Sequence, residues 1–306
     1  MFDKPKDILN AYNDGFVGSW CDPEDTDKLL GDLPHPLFGV AASDLYDTGA
    51  GKVALLYKSA QKYDPTFGAH ERQTTGDCVS HSTRTAVDVT RCHEIVGGQR
   101  EEFVARGATE AIYGSRGHGG QGMSCSVAAR FVAQNGGILV RKDYGFIDLS
   151  TYNSRTGTNW GRSGVPEKVI QEGKKHQVKT ISLINTVEQA RDALANGYAI
   201  SVCSNYGFSS RRNKNGIASR SKSWNHAMCW CAMDDSHEIH NETLFLIQNS
   251  WGAFNGGPKR FDQPDGSFWI REKDAAGMLK QNGAWVFSDV DGFPPRKVDF
   301  TIDEVF

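Results

Sequence analysis

Residues 245–252 read Phe245-Leu246-Ile247-Gln248-Asn249-Ser250-Trp251-Gly252. The first four form a strand-like run, and the asparagine follows where that run ends. A side-chain amide oxygen at this place can accept from an imidazole N–H, which fixes the ring's tautomer and orientation. Trp251 can cover that hydrogen bond from water. A suitable ring lies upstream in Ser223-Trp224-Asn225-His226-Ala227-Met228, with His226 at a strand start. Farther upstream is Gln73-Thr74-Thr75-Gly76-Asp77-Cys78-Val79-Ser80. Val79, Ser82, Ala86, Val89 and Cys92 recur at helical spacing, and Gly97-Gly98 stops the helix. Cys78 therefore opens a helix, where unpaired backbone N–H groups and the macrodipole favour a thiolate. The group reads as a nucleophile (Cys78), a general base (His226), its orienter (Asn249) and a side-chain oxyanion donor (Gln73), with the Cys78 amide as second donor.

Working outward, the pattern predicts a glycine loop at Gly114–Gly122 and a helix over Ser126–Gln134. A short helix is expected near Gly164–Lys174, and another over Val187–Asn196. Strands are predicted at Ala199–Cys203, Ala227–Met233, Thr243–Gln248 and Ser267–Arg271. The polar, basic stretch Ser209–Ser223 reads as a solvated loop. Helices come first and strands later, which is an α+β pattern of two segregated lobes rather than alternating βαβ units. Residues 1–69 are turn-rich and read as an extension or small wrapping segment. A cleft blocked by this segment would mean autoinhibition, relieved by cleavage.

The 306 residues suffice for a sizeable core, so the fold needs neither disulfide nor metal to stand. A net charge of −3 argues against a dedicated nucleic-acid binder. No apolar run approaches the ~20 residues of a membrane span, so no membrane partner is expected. The N-terminus has no hydrophobic signal-peptide core, so export by such a signal is not expected. Cys229 and Cys231 with His237 and His240 have zinc-ligand chemistry, but two cysteines on one strand face fit a packed core better. No metal and no cofactor are expected. His81, one helical turn beyond Cys78, is read as a solvent-facing or packing residue.

In their order, Cys78, His226 and the run Asn249-Ser250-Trp251-Gly252, followed by a Gly-rich turn and Gly266-Ser267-Phe268-Trp269-Ile270-Arg271, resemble the papain-like (C1-type) cysteine peptidases. Ala128–Ile138 is similar to the family's helix followed by Gly-Gly. The resemblance covers residues 70–290 and leaves 291–306 as a tail. It implies a papain-like α+β fold, with a helical lobe carrying Cys78, a β-rich lobe carrying His226 and Asn249, and a cleft between. It also implies a cysteine peptidase acting on peptide or protein substrates, with Trp251 as the active-site shield.

There are departures. Gln73 precedes Cys78 by five positions where the family has six. The family's C-G-[SA]-C-[WY] signature is reduced to Thr75-Gly76-Asp77-Cys78-Val79, without the upstream disulfide cysteine. The other six cysteines are accordingly expected as buried thiols. That points to a reducing interior, cytoplasmic or within a viral particle. Two alternatives stand beside the peptidase. One is a structural component of a larger assembly, such as a phage virion, with partners engaged through residues 1–69. The other is a cell-wall peptide amidase.

Overall fold

In the computed structural model, residues 2–68, 71–98, 102–238 and 241–296 are described. Nine strands occur among them: β1 (Ser19–Trp20), β2 (Val53–Ala54), β3 (Met123–Ser124), β4 (Thr180–Ile184), β5 (Ile200–Arg212), β6 (Ala218–Asp234), β7 (Leu244–Gln248), β8 (Ser267–Arg271) and β9 (Ala284–Ser288). The helices are α1 (Pro5–Asn13), α2 (Pro23–Asp32), α3 (Phe38–Ala41), α4 (Leu56–Tyr63), α5 (Cys78–Val96), α6 (Glu110–Gly114), α7 (Cys125–Arg130), α8 (Ser154–Ser163), α9 (Glu167–Gly173), α10 (Val187–Ala195) and α11 (Glu272–Leu279). Helix α7 runs on through a π turn at Phe131–Asn135.

One curled antiparallel sheet runs β4-β9-β5-β6-β7-β8, with β2 added alongside β6. Its strands β4, β7 and β9 are buried along their whole length, which explains their apolar content. Helix α5 packs between this sheet and the remaining helices. It is buried almost throughout, and its charged residues survive burial by pairing. The N-terminal residues contribute to both halves. Helix α2 rests on α7, α3 on β4, and α4 on α5.

The stretch Ser209–Ser223 is not a loop. Strands β5 and β6 continue through it as a long hairpin, with Tyr206 opposite Ser223, Phe208 opposite Arg220 and Arg212 opposite Ala218. Polar side chains are tolerated because this part of β6 stands in solvent on both faces, Ser219–Ser223 all being exposed, while Arg220 stacks on the Tyr206 ring at 3.6 Å. The turn is built by Asn213, whose Oδ1 accepts from the Asn215 and Ile217 amides, and by Gly216 at φ +76°. The Asn215-Gly216 pair is a hairpin signal that the charge of the stretch conceals.

The expectation that six cysteines rest as thiols is also corrected. Cys125 at the start of α7 is disulfide-bonded to Cys203 on β5, with Cα atoms 6.4 Å apart. This staples the helical side to the sheet across 78 residues of chain and contributes about 4–5 kcal/mol in the chain-entropy account. The inference of a reducing interior rested on thiols alone and loses its basis. Cys21, Cys78, Cys92, Cys229 and Cys231 are free. Among the described residues no helix is long and apolar enough to cross a membrane.

Buried ion pairs fix the segment that leads into α5. Glu71 is held by Arg84 on α5 and by Arg141, both at 3.0 Å, and Arg141 also reaches Glu110 at 2.6 Å. Two cations beside it hold the Glu71 carboxyl below its usual range despite burial. Removing one partner leaves uncompensated buried charge. Arg141→Ala is therefore expected to cost about 3–5 kcal/mol, read as a lowered denaturation midpoint with unchanged slope.

Candidate active site

Cys78 is the first residue of α5 and is fully buried. The backbone N–H groups of Val79 and Ala227 approach its sulfur. Ala227 follows His226 on β6, so the helix start and the strand meet at the thiol. His226 is also fully buried, and its Nε2 lies 2.9 Å from Asn249 Oδ1. The same oxygen accepts from the Ser250 amide at 2.7 Å, which leaves it one orientation. His226 Nδ1 is left without a partner, so a second nitrogen is available for proton transfer. Trp251 lies over the histidine, ring centres 4.7 Å apart, and is itself wedged among Trp224, Phe254 and Tyr12.

Gln73 lies beside this pair despite its shortened spacing from Cys78. Its amide nitrogen donates to Thr75 O, and its Oε1 accepts from Ser250 Oγ and Trp251 Nε1 at 2.5 and 3.1 Å. These contacts settle which end of the amide faces which way: the carbonyl is tied to the Ser250-Trp251 turn, and the second N–H remains to donate. Gln73, Cys78, His226 and Trp251 thus all border the Tyr12 side chain, with Asn249 bonded to His226, and no hydrogen bond joins His226 Nδ1 to the thiol. His81 is buried, not solvent-facing. It packs edge-on against Tyr152, whose hydroxyl donates to Asp77. His240 lies outside the described residues. Among those described, no cluster of three or more His, Cys, Asp or Glu could hold a metal.

The sequence reading missed Tyr12. This residue of α1 is fully buried in the cleft, its hydroxyl against the Cys78 sulfur and the Gln73 side chain. That hydroxyl makes no hydrogen bond of good geometry. Its ring stacks edge-on against His226 at 4.7 Å. Past the helix the chain stays in the cleft as a strap. The Gly18 N–H donates to Asn225 O at 2.9 Å on the sheet side. On the helical side, Gly18 O accepts from Met123 N at 3.2 Å, and β1 then pairs in parallel with β3. A Cβ on Gly18 would meet Tyr12 Oη at 2.0 Å and Cys78 Sγ at 2.9 Å, so only glycine lets the strap pass this close to the thiol. Upstream, the Trp224 indole donates to Asn13, and Arg72 holds the Phe2 and Asp3 carbonyls.

Excluding water has an electrostatic consequence. Burial pushes the Cys78 thiol up to about 12, partly offset by Tyr12 and backbone N–H groups. Burial holds the His226 ring down to about 3, against the hydrogen bond to Asn249. Burial thus acts against charge on both groups.

No protein-family model and no curated protein sequence matches the chain. Solved structures do. It is similar to procathepsin B S9 from Trypanosoma congolense, at 11% identity and a TM-score of 0.55, covering 91% of this chain and 87% of that one. It is also similar to xylellain, a cysteine protease from Xylella fastidiosa, at 16% identity and a TM-score of 0.52, covering 78% and 86%. The fold is papain-like, two lobes with a helical side and a curled sheet.

A ring held neutral by burial takes up a proton when the site opens. The folded value of His226, about 3, lies below the ordinary 6.5, and burial holds His93 down to about 4 in the same direction. Their contribution is complete above pH 6.5 and is lost as pH falls to about 4 for His93 and to about 3 for His226. Chemical denaturation at a series of pH values should show stability falling across this window, with a shallower fall in His93→Gln.

Proposed function

We propose that the chain is a cysteine peptidase that cleaves peptide bonds through an acyl-enzyme on Cys78, stored closed by its own N-terminal strap. The observation that carries this reading is that the α5 N-terminal thiol, the Asn249-bonded His226 ring and the Gln73 amide all border the buried Tyr12 side chain. Once the strap leaves, water enters and the charged forms of Cys78 and His226 are no longer penalised. His226 Nδ1 takes the thiol proton, and the sulfur attacks the substrate carbonyl. The Cys78 backbone N–H and the Gln73 amide stabilise the oxyanion. Collapse expels the amine, which takes its proton from His226. A water molecule, deprotonated by His226, then releases the acid and restores the thiol. Asn249 holds the ring at Nε2 throughout, and Trp251 keeps water off that bond. Peptide or protein is the substrate class this chemistry serves, and no metal or cofactor enters it.

A second reading makes the chain a structural component of an assembly, a phage particle being one setting. The filled cleft is the observation in its favour, since a chain that never turns over has no need to empty it. The cell-wall amidase alternative shares the chemistry and differs only in substrate.

Tyr12→Ala in the full-length chain should raise the alkylation rate of Cys78 and release turnover of peptide substrates. Adding Cys78→Ala should abolish that turnover. Gly18→Ala should act in the same direction by forcing the strap away from the sulfur. Turnover surviving Cys78→Ala would remove the nucleophile assignment. A folded Tyr12→Ala chain with a reactive Cys78 but no turnover of peptides or peptidoglycan stems would favour the structural reading. In the Tyr12→Ala background, Gln73→Ala should lower kcat by about 10²–10³-fold with little change in KM.

A further inference from the structure

Three cysteines lie close together where the strap leaves the cleft. The Trp20–Ser124 pairing brings Cys21, the next residue of the strap, alongside Cys125 at the start of α7. Cys125 is bonded to Cys203 on β5. A Cβ on Gly283 would lie 2.4 Å from Cys21 Sγ and 3.1 Å from Cys203 Cβ, so Cys21 and Cys203 share the hollow left by that missing side chain. Cys21 Sγ therefore lies no more than 5.5 Å from Cys203 Cβ. Cys125 and Cys203 are buried, whereas Cys21 is only partly covered and remains open to solvent.

We propose that Cys21, Cys125 and Cys203 form a thiol–disulfide exchange site that latches the strap covalently over the cleft. Cys21 loses its proton to solvent, and its thiolate attacks Cys203 Sγ. The Cys21–Cys203 bond forms, the Cys125–Cys203 bond breaks, and Cys125 leaves as a thiolate that takes up a proton. One disulfide is exchanged for another, with no net oxidation. In the present pairing the strap is held by hydrogen bonds and packing alone. In the exchanged pairing residue 21 is bonded to the sheet, so cutting the chain beyond it would not free the strap. Release would then require a thiol reductant as well as a cut. Cys21 is half-buried and its thiol is pushed up to about 11 by that burial, so exchange is slow in the closed form and the two pairings can persist separately.

The inference builds on the strap, but its test reads masses rather than activity, so it can fail while the peptidase reading stands, and the reverse. The full-length chain is equilibrated in glutathione redox buffer, quenched with acid, alkylated and digested without reduction. Mass spectrometry should find a Cys21–Cys203 peptide pair with Cys125 alkylated, alongside the Cys125–Cys203 pair. In Cys125→Ser the Cys21–Cys203 pair should replace the other, with loss of Cys21 alkylation. The proposal is overturned if the wild-type chain yields only Cys125–Cys203 at every glutathione ratio. It is equally overturned if folded Cys125→Ser keeps an alkylatable Cys21 with Cys203 free or glutathionylated.

Discussion

The Cys78 thiol and the His226 ring share a site from which one tyrosine side chain excludes water. Much of the chain's organisation near the cleft serves that exclusion. Tyr12 touches sulfur, imidazole and the Gln73 amide at once. With no solvent to stabilise a thiolate or an imidazolium, both groups stay neutral. An arrangement able to form an ion pair is thereby kept from forming one. The cost of charge in a dry site opposes both charged forms, and no hydrogen bond joins His226 Nδ1 to the thiol in this closed arrangement.

The strap is held by small contributions distributed over both lobes. Gly18 is hydrogen-bonded to Asn225 on one wall and to Met123 on the other. Helix α1 buries Ile8 and Tyr12 on one face, four residues apart. Residues beyond the strap are committed more deeply: β2 extends the main sheet beside β6, and α4 packs on α5. The segment up to Trp20 thus adds Ile8 and Tyr12 to the core without joining the main sheet. Cys21 stands at the boundary, beside the disulfide that staples the lobes, which is why sulfur chemistry there bears on the strap.

That Cys78, His226, Asn249 and Gln73 belong to one neighbourhood was legible in the sequence because their residue types and chain order are distinctive. Trp251 was legible from its place after Asn249. Tyr12 was not, because an aromatic on an amphipathic helix reads as ordinary core and only the threading of the strap brings it to the thiol. The β5–β6 hairpin was hidden by its basic residues, although Asn215-Gly216 marked the turn. Strands β4 and β9 carry apolar runs, Thr180–Ile184 and Ala284–Ser288, that lie outside every motif quoted above. The Cys125–Cys203 bond was out of reach for a different reason: spacing does not determine connectivity, and the two cysteines meet only when α7 docks on β5. The fold class followed from the order of helices and strands, and the structural likeness to procathepsin B S9 and xylellain agrees with it.

The central claim is that the strap keeps the Cys78–His226 pair uncharged. The most direct measurement is the titration of the His226 imidazole by NMR in the intact chain, with His226→Gln identifying its resonance. A ring that stays neutral from pH 8 down to about 4, and that titrates at a higher pH in Tyr12→Ala, is the predicted result. An imidazolium present near pH 6.5 or above in the intact chain, unchanged by Tyr12→Ala, would contradict it.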